Sequence, residues 1–149
     1  MKFENFRKKV LFIDGSYRDV IVENAQKNDW LNYFEFLNLY TCEVKVYIGS
    51  EVLELNNEVY DIIVKSLEKE MRVLLEIRLG DVIVNCHFFD IEIIEMDIDP
   101  REFNEVSSIR LMVEFFESMA NFLGKEIKLT VENGWEVPLY VFTPIDIND

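Results

Sequence analysis

The chain has 149 residues, half of them hydrophobic, and sets 29 acidic side chains against 15 basic ones for a formal net charge of −14. That length suits one domain with a single sizeable core. The charge argues against nucleic acid, which must be gripped by a basic stripe that releases counterions, and against anionic membrane surfaces. No apolar run approaches the ~20 residues of a membrane span and no signal-like h-region is visible, so the expectation is a cytoplasmic protein with one domain over 1–149. Only the ends, MKFENFRKK and PIDIND, have little to pack.

In chain order, Asp14-Gly15-Ser16 separates KVLFI from YRDVIVE, two segments rich in β-branched and aromatic residues, and reads as the turn of a first hairpin. A first helix follows from Asp29 to Tyr40, where Trp30, Tyr33, Phe34 and Leu37 recur at helical spacing and Asn28 or Asp29 serves as cap. Gly49-Ser50 joins EVKVYI to EVLEL as a two-residue turn. A second helix is expected from Asn57 to Glu70, with Val59, Ile62, Ile63 and Leu67 on its apolar face.

Gly80-Asp81 then joins RVLLEIRL to DVIVNCHFF as another hairpin. The longest helical pattern runs from about Pro100 to Leu123, striped by Val106, Ile109, Val113, Phe116, Ala120 and Leu123, with Gly124 as its left-handed cap. Asn133-Gly134, between IKLTVE and WEVPLYVF, is the strongest short hairpin signal of the four. The predicted fold is α+β: about eight strands in mainly antiparallel hairpins, alternating with three helices packed on one face of the sheet.

Most residues that draw the eye have structural explanations. All five glycines are spent on turns and a cap, and no phosphate-cradling or nucleophile-elbow motif exists. Cys42 and Cys86 lack any ligand spacing and read as reduced thiols. His87 is the only histidine, so no multi-histidine metal site can form. It cannot make a nucleophile dyad with Cys86 either, because adjacent strand residues point to opposite faces. No cofactor or metal is expected.

Two places remain. Arg18 and Asp19 in SYRDVIV fall where a strand would draw charge into an apolar setting, and each then needs a partner. A structural ion pair or a guanidinium stacked on an aromatic ring is the commoner use, and a ligand anchor the sharper one. The second is DIEIIEMDIDPRE, Asp90 to Glu102, with six acids in thirteen positions. Its alternation slips at Ile93-Ile94, as at a β-bulge. Asp99, Pro100 and Glu102 then form a capping-box-like start for the long helix. A calcium loop fails for want of a central glycine, which leaves Asp90, Glu92, Glu95 and Asp97 with no structural duty.

These observations favour a small protein-interaction domain whose acidic face, through Asp90, Glu92, Glu95 and Asp97, steers a basic protein partner, with Trp135 as an aromatic anchor. In size, acidity and lack of catalytic motifs the chain is similar in general character to bacterial immunity proteins, which neutralise a cognate toxin. The alternative is an enzyme or small-ligand protein with an unconventional pocket between sheet and helices, using Arg18, Asp19, Tyr17 or His87. A homo-oligomer is a third reading.

Overall fold

A computed structural model describes residues 1–145. Among these, eight strands form one sheet: β1 (Arg18–Val22), β2 (Glu43–Ile48), β3 (Glu51–Leu53), β4 (Val73–Leu79), β5 (Val82–His87), β6 (Ile94–Ile98), β7 (Ile127–Val131) and β8 (Tyr140–Phe142). Their order is β3-β2-β4-β5-β6-β1-β7-β8, and every pairing is antiparallel. Four helices accompany them: α1 (Phe3–Val10), α2 (Lys27–Leu39), α3 (Val59–Glu68) and α4 (Val106–Leu123). The α+β class and the antiparallel sheet are as expected. The helix count is four rather than three, and the eight strands are not the eight expected.

The first difference lies at the N-terminus. KVLFI is not a strand. Its Val10 ends α1, whose Phe6 and Val10 are buried, and the chain then runs through Asp14-Gly15-Ser16 as an irregular link into β1. Phe3, Phe6 and Val10 stand at i, i+3 and i+7, a helical stripe that gives MKFENFRKK something to pack after all. Phe6 meets Tyr140 of β8 edge-on at 5.2 Å between ring centres, and Arg110 of α4 lies over the Phe3 ring. The matching expectation for PIDIND falls, for its last four residues, outside the described residues.

The second difference supplies the missing strand. DVIVNCHFF does not run on into the acidic stretch, because residues 88–93 reverse the chain and β6 returns antiparallel to β5. The double isoleucine is therefore the exit of a turn, not a bulge. At the C-terminal hairpin β7 and β8 pair as expected. Their connection is residues 132–139, far longer than an Asn-Gly turn, and the second strand starts only at Tyr140.

Elsewhere the turn chemistry holds. Gly49 and Gly80, at φ +59° and +58°, open two-residue turns between β2 and β3 and between β4 and β5. Gly124 ends α4 in the left-handed region. Helix α2 begins at Lys27, two residues earlier than expected, and Asp29 in its first turn reaches back to accept from the Gln26 amide at 2.8 Å. Asp99 does cap a helical turn, accepting from the Arg101 amide, but that turn is a 3-10 segment, Pro100–Glu102, and α4 begins separately at Val106. Glu102 accepts instead from the Ile83 amide at 3.4 Å.

The helices pack on one face of the sheet. Val20, Val46, Leu75, Ile77, Val84, Cys86, Met96 and Leu129 meet Trp30, Phe34, Leu37, Ile63, Ile109, Met112, Phe116 and Met119 in one continuous core. In α3 the apolar stripe is narrower than expected: Val59 and Ile63 are buried, while Ile62 stays exposed. No helix among the described residues is long and apolar enough to cross a membrane.

Candidate functional site

Among the described residues no helix packs on the opposite face of the sheet, and the register lays it out in rows. One row crosses all eight strands: Val52, Tyr47, Leu74, His87, Glu95, Ile21, Lys128, Val141. The next crosses six: Lys45, Glu76, Asn85, Asp97, Asp19, Thr130. Side chains directly across an antiparallel pair share a face, so this open face brings Asp19, Glu95, Asp97 and His87 together on three neighbouring strands.

Arg18, one residue before Asp19, points the other way and belongs to the core. Its guanidinium is fully buried. Nε donates to the Val10 carbonyl at 2.8 Å, one Nη donates to the Phe12 carbonyl, and the other reaches Ser16 and Asp14. The plane stacks on Phe12, 4.2 Å from the ring centre. Arg18 thus ties the end of α1 and the following link to β1. Each of its three nitrogens is hydrogen-bonded within the protein, which is the structural use of such a residue.

Asp19 is also nearly buried, on the open face, because the β7–β8 connection folds over it. Its Oδ2 accepts from the Asn133 amide at 2.9 Å and from the Trp135 indole N–H at 2.8 Å. Trp135 therefore does not open a strand. It sits half-buried in the connection, fastened by its polar atom to Asp19.

The four carboxylates without an expected duty divide. Asp90 and Glu92 lie in the β5–β6 turn, where Asp90 Oδ1 accepts from the Glu92 amide at 2.9 Å and so stabilises the reversal. Asp97 lies on the sheet and accepts from His87 Nε2 at 2.6 Å and from Asn85 at 3.3 Å. Of the four, Glu92 and Glu95 have side chains with no hydrogen bond or ion pair to another described residue. His87 carries an exposed Phe89 stacked on its ring, centroids 5.0 Å apart and planes within 8°.

The electrostatics follow from this crowding. The hydrogen bond to Asp97 holds His87 above the usual imidazole value, against the pull of burial. Partial burial first, and then the charges of Asp19, Asp97 and Asp90, push the Glu95 carboxyl up. Its ionised form is thus disfavoured in the fold at neutral pH and costs nothing once both folded and unfolded chains are protonated. Glu95→Gln is expected to raise the urea midpoint at pH 7, with the gain closing as pH falls through the raised carboxyl value to the ordinary one; paired urea melts of variant and parent across that range measure it.

Chemically the face offers little for covalent work. Cys86 projects into the core, where burial pushes its thiol up to about 12, so the residue beside His87 is not a usable nucleophile. Among the described residues no three His, Cys, Asp or Glu side chains converge as metal ligands. What the arrangement defines is an α+β fold with one helix-covered sheet face and a second face that is buried at Asp19, Ile21 and Thr130 and partly exposed at Asn85, His87, Glu95 and Asp97 of β5 and β6. Comparison with protein-family models, curated proteins and solved structures finds no match to the chain.

Proposed function

We propose that the open sheet face is a docking surface for a basic protein partner, and that the chain is a small interaction protein of the immunity type. The observation that carries this is the juxtaposition of Asp19 on β1 directly opposite Asp97 on β6, with Glu95 two residues along. Like charges facing across strands weaken a sheet. Among the described residues His87 is the one cation bonded to the group; Asp19 is otherwise served by the Asn133 amide and the Trp135 indole, and Lys128 on β7 pairs with Glu23 at 2.5 Å. A cationic partner surface reaching the partly exposed Glu95 and Asp97 relieves that repulsion, Asp90 and Glu92 at the adjoining turn extend its field, and Phe89 and Trp135 supply aromatic contact area.

The test uses the chain and a variant with Asp90→Asn, Glu92→Gln, Glu95→Gln and Asp97→Asn as parallel baits in native lysate at low salt. A basic protein held by the parent and lost from the variant is expected. Its association rate with the parent should fall by about tenfold between roughly 50 and 300 mM salt, as for steered encounter. If both baits retain the same proteins with the same salt response, the docking face is wrong. For the immunity reading, the gene beside this one should encode that basic protein, and co-expression should suppress its toxicity.

A further inference from the structure

We infer that docking on the open face exchanges a proton for a partner cation: a lysine or arginine of the partner settles beside Glu95 and Asp97 as His87 gives up its imidazolium proton to water. This rests on the docking role just proposed and specifies how that site is regulated. His87 is the single histidine of the chain, and it stands in the row between Leu74 of β4 and Glu95 of β6. Its Nε2 is 2.6 Å from Asp97 Oδ2.

The charged groups around it are Glu95 and Asp97 from β6 and Asp19 from β1, with Asp90 of the turn acting on Glu95. Towards β4, Glu76 is paired with Arg78 at 3.5 Å, and Arg72 lies exposed beyond the strand's start. The imidazolium is therefore the acidic group's own counter-cation. A partner ammonium or guanidinium placed beside the same carboxylates meets that positive charge, and two cations repel at this range. Loss of the Nδ1 proton removes the conflict, while Nε2–H goes on donating to Asp97. Asp97 holds the imidazole above its usual value, so the proton is kept to higher pH than on a free histidine, and a shift of half a unit corresponds to about a threefold change in affinity.

One histidine gives one set of ring C–H signals, so its titration can be followed by NMR in the untagged, ¹³C-labelled chain. The probe is an oligolysine of about ten residues, added at about 0.15 M salt, where charges beyond roughly 8 Å are screened. Bound peptide is expected to lower the His87 midpoint by about half a unit or more. Peptide affinity is also expected to rise about threefold from pH 6 to pH 8 in the parent but not in His87→Gln. If the peptide binds and a variant neutralised at Asp90, Glu92 and Glu95 weakens it, yet the His87 curve does not move, the proton exchange is overturned and the docking face stands. If the peptide fails to bind, or binds regardless of that neutralisation, both are overturned.

Discussion

Replacing Arg18 with Met is expected to cost about 3 kcal/mol of folding stability, a large part of the roughly 5–15 kcal/mol that holds a domain together. Methionine fills much of the same volume, so the loss is not mainly a cavity. It comes from the Val10 and Phe12 carbonyls, which accept from the guanidinium in a buried setting and are left without it. Hydrogen bonds to charged groups contribute about 1.5–3 kcal/mol each. Asp14, the acidic partner, is well exposed, so its stranding adds little. Arg18→Lys should lose nearly as much, because a single ammonium cannot reach both carbonyls and stack on Phe12 together. Urea denaturation gives the magnitude and amide exchange gives the place. Protection should fall first across 7–13, where α1 joins its link, while β4 and β5 keep theirs. A variant as stable as the parent, or one losing protection evenly, would contradict the role assigned to this side chain.

Arg18 also shows where the sequence could be read and where it could not. That a charge in SYRDVIV needed a partner followed from strand alternation alone. Which partner it has depends on α1, and α1 was hidden because its stripe of Phe3, Phe6 and Val10 is only eight residues long and merges into the β-branched and aromatic run that follows. A strand reading of KVLFI then turned Asp14-Gly15-Ser16 into a hairpin. The hairpins at Gly49 and Gly80 were legible because a two-residue turn needs φ > 0 at a position only glycine takes easily. Asn133-Gly134 carries the same dipeptide without the same turn, because tertiary contact wins: the Asn133 amide and the Trp135 indole are both claimed by Asp19, more than a hundred residues earlier in the chain.

The acidic site was legible by half. Alternation placed Glu95 and Asp97 on one face, and the register confirms that they share it. Asp90 and Glu92 seemed to continue that strand, yet Asp90 begins a turn. The available signal was the local bond an aspartate makes to the amide two residues on, which competes with strand pairing. Asp19 could not be placed beside them at all, since β1 enters the sheet between β6 and β7 and no local pattern encodes that order. His87 is a partly exposed strand histidine. Its contact with Asp97 depends on the same non-local pairing.

Asp19 is therefore the residue on which fold and proposed site converge, and its two substitutions should part in a definite way. Asp19→Ala leaves the Asn133 amide and the Trp135 indole without their shared acceptor, and the cost is expected to be on the order of 2–4 kcal/mol. Part of that loss is offset, because removing one carboxylate from opposite Asp97 relieves like-charge repulsion across the strands. Asp19→Asn keeps an acceptor oxygen and sheds the charge, so its cost should be about 1 kcal/mol, near that of an ordinary neutral hydrogen bond. Trp135 fluorescence separates the two. In the alanine variant the emission should shift to the red as the β7–β8 connection lifts and water reaches the indole; in the asparagine variant it should stay near the parent. Equal losses in both variants would mean that the charge itself, rather than the two N–H donors it serves, holds the connection down. The emission of Trp30 provides an internal reference, because that ring is fully buried under Phe88 and fixed by its own bond to the Ile91 carbonyl at 2.7 Å. If the connection does lift, the open face gains width at β1, and the alanine variant should bind a basic partner with a changed on-rate while the asparagine variant changes only by the loss of one charge.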